Sequence, residues 1–147
     1  MTLKVLTIED QPDIRRLIRM TLEFKSIDVL EASEGAEGLA MARSHRPDII
    51  LMDVMMPGMD GLTASDLLSS DPELSSIPVV MISALGRPSD IDAGLEKGAR
   101  AYLVKPFSPW ELLKLIGQLT GQIDEDEAPR PSALRDTQRT FTNKGGL

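Results

Sequence analysis

Two kinds of segment alternate along the first 120 residues of the chain, one apolar and short, the other mixed and longer. The apolar runs are LKVLTI (3–8), IDVLEA (27–32), DIILMD (48–53), IPVVMIS (77–83) and ARAYLV (99–104). Three of them are almost continuous in aliphatic residues, as in parallel strands covered on both faces. Between the runs the period becomes helical. Ile14, Leu17, Ile18 and Leu22 share one face of a helix over 12–24. Ala36, Leu39, Ala40 and Arg43 suggest a second, more polar helix, Leu62, Leu67 and Leu68 a third, and Ile91 and Leu95 a short fourth. The fifth has the strongest signature. Ser108-Pro109-Trp110-Glu111 reads as N-cap, proline at the first helical position and the glutamate of a capping box. Leu112, Leu115, Ile116 and Leu119 follow as its apolar face. Five strand–helix units with short connections predict an α/β fold, a five-stranded parallel sheet with helices on both faces.

The pattern stops after the fifth helix. Residues 1–120 are expected to form one domain, and 121–147 a flexible tail or linker. DEDE at 124–127 opens a stretch with few apolar residues and no periodicity. The tail holds five acids and four bases, so most of the formal charge of −7 belongs to the domain. That acidity argues against nucleic acid as a direct ligand, because phosphate binding needs a basic face. With no cysteine, disulfides, thiol catalysis and zinc–thiolate sites are excluded. His45 is the single histidine, expected near the end of the second helix where a cation suits the helix dipole. No apolar run approaches the roughly 20 residues of a membrane span, and MTLKVLTIED lacks a signal-peptide layout. A cytoplasmic location is the expectation.

The strand ends change the picture. The first strand ends at Glu9-Asp10, the third at Asp53 and the fourth at Ser83, and the fifth runs into Lys105-Pro106. In a parallel sheet these ends lie on one edge, where such folds bind ligands. Three carboxylates, a hydroxyl and an ammonium group are thereby brought together. Such acids repel one another and raise each other's pKa unless a hard divalent cation stands among them. Each residue also has a plainer use. Asp10 could cap the helix that starts near Pro12, Asp53 could be a solvated strand-end acid, Ser83 a turn hydroxyl and Lys105 a solvated charge. Their coincidence at the ends of four strands favours a shared site.

These residues resemble a receiver domain, the phospho-accepting module of two-component response regulators, and most closely its single-domain, chemotaxis-regulator-like form. The resemblance covers about 1–120 and rests on Glu9-Asp10, DIILMDVMMPGMDG (48–61), VVMISA (79–84) and Lys105-Pro106-Phe107. It implies a flavodoxin-like (βα)5 fold and a switch without external substrate turnover. Asp53 corresponds to the phosphoacceptor. Asp10, Asp53 and the backbone carbonyl of Met55 would bind Mg²⁺, with Glu9 acting through a metal-bound water. Ser83 and Lys105 would each hold a phosphoryl oxygen, and Pro106 would follow a cis peptide bond. Tyr102 would be the aromatic switch, turning inward as Ser83 moves towards the phosphate and altering the surface of the fourth helix, fifth strand and fifth helix. The implied partners are a sensor histidine kinase or histidine phosphotransfer protein and a downstream protein target, with a homodimer through that same surface as a further option. Met55 and Leu85, two residues after Asp53 and Ser83, would border the path of a hydrolytic water, and both are apolar. Slow loss of phosphate from Asp53 is therefore expected; a half-life of seconds without added phosphatase would contradict it.

Other readings are open at this stage. The chain could be a receiver fragment of a larger multidomain regulator, cut in its linker, or a phosphate-independent pseudo-receiver that serves only for interaction. A haloacid dehalogenase-like phosphatase would need an aspartate two residues after the nucleophile, where Met55 stands. A flavodoxin-like nucleotide binder would need a Gly-rich or hydroxyl-rich phosphate loop after the first strand, and EDQPD (9–13) repels phosphate.

Overall fold

The computed structural model describes residues 2–121 and 140–142. Five strand–helix units follow in order: β1 Lys4–Ile8, α1 Pro12–Phe24, β2 Asp28–Ala32, α2 Gly35–His45, β3 Ile49–Asp53, α3 Gly61–Ser70, β4 Val79–Ser83, α4 Pro88–Glu96, β5 Ala101–Val104 and α5 Pro109–Thr120. A short sixth strand, β6, spans Thr140–Thr142. The sheet order is β2-β1-β3-β4-β5-β6. The first five strands are parallel, and β6 joins β5 antiparallel. Among the described residues no helix is long and apolar enough to cross a membrane.

Side chains on the strands alternate between two apolar layers, as the period of two requires. Leu6, Ile8, Ile50, Met52, Val79, Met81 and Tyr102 face the layer that includes α2, α3 and α4. Val5, Ile49, Leu51, Val80, Ile82, Ala101 and Leu103 face the layer that includes α1 and α5. Each fully buried Leu or Ile side chain contributes about 1.5–3 kcal/mol of transfer free energy, so the layers together hold the strand ends in place.

The helices form where expected, but two present different faces. On α2 the buried positions are Gly35, Gly38, Leu39 and Ala42, while Ala36, Ala40 and Arg43 are exposed. Gly38 explains the rotation: a Cβ there would lie 2.3 Å from Ile8 Cδ1, so the helix packs on β1 through a bare backbone. On α1, Ile18 and Leu22 are buried, but Leu17 is exposed along with Met20 and Phe24. Thr21 takes the inward place and donates its hydroxyl to Leu17 O at 2.8 Å. α5 begins as its sequence predicts. Ser108 Oγ accepts from Glu111 N, Glu111 Oε1 accepts from Ser108 N, both at 3.1 Å, and Gly121 ends the helix at φ +70°.

The expected tail contains one element that its composition does not announce. Thr140–Thr142 form β6, because a threonine–phenylalanine–threonine segment suits a strand and the outer edge of β5 supplies a pairing partner. Residues 122–139 and 143–147, the rest of that tail, lie outside the described residues.

Candidate functional site

The strand order reverses between β1 and β3, where β2 continues to one side and β4 to the other. Such a reversal opens a crevice at the carboxyl ends of the strands, and the acids sit there. Glu9 and Asp10 follow β1, with Glu9 N donating to Ala32 O at 3.0 Å. Asp53 closes β3. One carboxylate oxygen from each of Glu9, Asp10 and Asp53 lies within 4.8 Å of the others. Ser83 closes β4, fully buried, and its Oγ accepts from Leu85 N at 3.1 Å. Lys105 follows β5 and reaches back across the sheet edge. Its Nζ lies 2.9 Å from Glu9 Oε1, 3.3 Å from Asp53 Oδ2 and 3.3 Å from Gln11 Oε1. The Lys105–Pro106 peptide bond is cis, as expected.

Burial sets the electrostatics. Glu9 is only 2% exposed and Asp53 5%. The Glu9 carboxyl is pushed up to about 7, first by burial and then by its hydrogen bond to Asp53. Lys105 and the Gln11 N–H act against that rise without cancelling it. One ammonium group is thus shared by two carboxylates that repel each other.

Asp10 does not cap α1. The N-cap is Gln11, without a side-chain cap bond, and Asp10 Oδ1 is buried with no hydrogen-bond partner among the described residues. A buried, unpaired carboxylate oxygen is costly unless something positive meets it. An all-oxygen set of this kind suits a hard divalent cation such as Mg²⁺. Met55, the expected source of a backbone ligand, is exposed beside the cluster, and its N–H donates to Asp53 Oδ1 at 3.1 Å. Met52 and Met56 are core residues and Met59 is half-buried, so loop and core filling accounts for them.

Tyr102 is fully buried. Its hydroxyl donates to Leu85 O at 2.6 Å. Burial pushes its phenol above 10, partly offset by the nearby Ser83 hydroxyl. The ring fits because α4 carries Gly94, where a Cβ would lie 2.9 Å from Tyr102 Cδ2. His45, exposed at the end of α2, touches Ser44 Oγ through Nδ1 at 2.9 Å and stands apart from the cluster. Trp110 is half-buried on α5.

Some supporting residues carried no signal in the sequence. Gln11 bonds both to Lys105 and, through its N–H, to Glu9 Oε2 at 3.2 Å. Arg15 Nη1 donates to Glu9 O at 2.8 Å and so fixes the acidic turn. Gly61, readable as a turn residue, is the first residue of α3, after the N-cap Asp60 that accepts from Thr63 N at 2.8 Å. Its N–H donates to Val54 O at 2.8 Å, folding the loop back onto Asp53. The signal for Gly94, and the packing reason for Gly61, exist only in space, since both are small because of residues distant in sequence.

Comparison with known proteins agrees with this geometry. The family model described as "Response regulator receiver domain" matches residues 5–117. The chain is 38% identical over 121 residues to the DNA-binding dual master transcriptional regulator RpaA of Synechocystis, covering 82% of this chain and 50% of RpaA. It is 38% identical over 113 residues to the protein PilH of Pseudomonas aeruginosa, covering 77% of this chain and 93% of PilH. The chain thus spans about half the length of several curated relatives it matches, RpaA among them. A putative response regulator from Chloroflexus aurantiacus superposes with a TM-score of 0.80 at 30% identity, covering 83% of this chain and all of that one. The chemotaxis protein CheY4 of Vibrio cholerae superposes at 0.77 with 33% identity, covering 81% and 99% of the two chains. The fold with its reversal at β1 and β3, the acids gathered there and these likenesses place the chain in the response regulator receiver domain family.

Proposed function

We propose that this chain is a phosphorylation-driven switch in which Asp53 accepts a phosphoryl group from a histidine kinase or a histidine phosphotransfer protein. The observation that supports it most is the Lys105 ammonium group held 3.3 Å from Asp53 Oδ2, at the rim of a carboxylate cluster in which an Asp10 oxygen has no partner among the described residues. An ionised carboxylate needs no base, which suits a site without histidine. An Asp53 oxygen attacks phosphorus, the bond from phosphorus to the donor's nitrogen breaks with its electron pair staying on the donor, and an acyl phosphate remains on Asp53. Lys105 and the Ser83 hydroxyl each meet a phosphoryl oxygen and offset its charge. Asp10, Asp53 and the Met55 carbonyl would hold Mg²⁺, with Glu9 acting through a water, and the cation would supply further positive charge against the incoming phosphate.

Binding of phosphate at Ser83 would bias the loop that carries Leu85, and with it Tyr102. The face of α4, β5 and α5 would then meet a protein target or a second copy of the chain. RpaA is a DNA-binding regulator by its name; for this acidic chain the proposed output is contact with protein. A second reading, a receiver segment of a longer regulator, is favoured by the coverage of only 50% of RpaA.

Incubation with acetyl phosphate and Mg²⁺, followed by intact mass, tests the proposal on the native chain and Asp53→Ala. A phosphate-sized gain that requires Mg²⁺ and disappears in the variant is expected. A gain that persists in Asp53→Ala would assign another acceptor. No gain from either small-molecule or protein donors would leave a phosphate-independent interaction module.

The raised Glu9 pKa gives a pH prediction. Below about 7 the cation-free protein holds a proton on Glu9, and a bound cation must expel it. Mg²⁺ affinity should rise about fivefold between pH 6 and 7 and about twofold more by pH 8 before levelling off, with proton release at pH 6 measurable by calorimetry in two buffers. Glu9→Gln should flatten this dependence. The sign for stability is opposite: folded Glu9 binds protons more tightly than the unfolded chain, so this group makes the cation-free fold more stable as pH falls from about 7 towards 4.5.

A further inference from the structure

The outer edge of the sheet carries a feature that the receiver reading leaves unexplained. β5 is the last parallel strand, and a bare strand edge recruits other strands. Here Ala101, Tyr102 and Leu103 are all 0% exposed. Along that edge lies β6, with Thr142 opposite Ala101, Phe141 opposite Tyr102 and Thr140 opposite Leu103. Directly opposed residues of an antiparallel pair project to the same face. Phe141 therefore stands beside Tyr102, and it packs against the same apolar layer. The Tyr102 ring is bounded by Gly94 of α4, and its hydroxyl is tied to Leu85 O. Among the described residues, the segment Thr140–Thr142 is its neighbour at the edge.

Residues 121–139 separate this segment from α5, and a stretch of that length spans at most about 65 Å. A tethered segment is present at an effective concentration on the order of millimolar. A strand of three residues is marginal by itself, so its place in the same chain as β5 favours the pairing.

We infer that Thr140–Thr142 is an intramolecular ligand of the β5 edge and that its docking favours the inward Tyr102 ring. Any other strand, from a partner or a second copy, reaches this edge only when the segment leaves. By linkage, whatever draws Tyr102 inward strengthens the docking by the same factor that docking favours the inward ring. Coupling to phosphate rests on the function proposed above; the docking itself does not.

Amide hydrogen exchange by mass spectrometry on the full chain separates the two. In the unphosphorylated state, Phe141→Asp should raise exchange across β5 at least tenfold and leave β1 and β3 unchanged, which also reports an intact fold. A synthetic QRTFTNK peptide (138–144) should restore the protection. Unchanged β5 exchange in Phe141→Asp would overturn the docking, and a dimeric mass for that variant would then assign the edge to a second copy. In the second arm, Mg²⁺ with beryllofluoride should slow β5 exchange a further threefold or more in the native chain but not in Phe141→Asp. Protection near Asp53 without any change at β5 would overturn the coupling. Absence of any response near Asp53 would count against the phosphoacceptor reading, while the first arm still decides the docking.

Discussion

Lys105→Met is expected to slow phosphate incorporation at Asp53 about a hundredfold, the scale for removing one oriented donor from a developing negative charge. Methionine keeps the length and apolar stem but removes the only ammonium group within reach of both Glu9 and Asp53 among the described residues. The loss should lie in the rate with acetyl phosphate, followed by intact mass at saturating Mg²⁺. A reduction below threefold would show that the ammonium group is a bystander. The variant also has a stability signature. Lys105 is one of the groups that pull the Glu9 pKa down, so without it the cation-free fold must keep Glu9 protonated to avoid two unpaired buried charges. Protons are scarcer at pH 8 than at pH 6, so urea melts should show a larger destabilisation at pH 8.

Gly61→Ala is expected to destabilise the fold by about 3 kcal/mol, the upper range for forcing atoms into a packed site. A Cβ at this position would lie 2.3 Å from Asp53 O and 2.8 Å from Val54 Cα. These are backbone atoms, and no side-chain rotation can relieve the overlap. The start of α3 or the end of β3 must move, and Asp53 moves with it. Gly58→Ala is the comparison. Gly58 has φ +76° but nothing within 4 Å of a new Cβ among the described residues, so its cost should be only about 1 kcal/mol, the penalty for a left-handed alanine. Urea midpoints of the two variants measure the difference; equal losses would mean that the close approach of Gly61 to β3 is not what makes it necessary.

Much of the fold was legible along the chain because its signals are local. The Ser108–Glu111 capping box, Pro12, Pro88 and Pro109 at helix starts and the aliphatic runs of β3 and β4 each depend on neighbours a few residues away. That Glu9, Asp10, Asp53 and Lys105 would meet also followed from the chain, since parallel strands must end on one edge. The finer placements did not follow. Periodicity put Leu17, Ala36 and Ala40 towards the core, whereas Thr21, Gly38 and Ala42 are buried there, because the rotation of a helix depends on the bulk it meets, such as Ile8 beneath Gly38. The plainer use of Asp10 as a helix cap was set aside only by the structure, where Gln11 is the N-cap and Asp10 Oδ1 has no partner among the described residues.

The sequence by itself determined the class of fold, the order of five strand–helix units and the identity of the gathered acids, because these depend on period, capping and strand direction. The tertiary structure alone decided that Lys105 serves Glu9 and Asp53 together, that Gly94 makes room for a buried Tyr102, and that Thr140–Thr142 lie on β5. Each of these is a contact between residues far apart in the chain, and closeness in space arises only once packing has chosen the distance between elements.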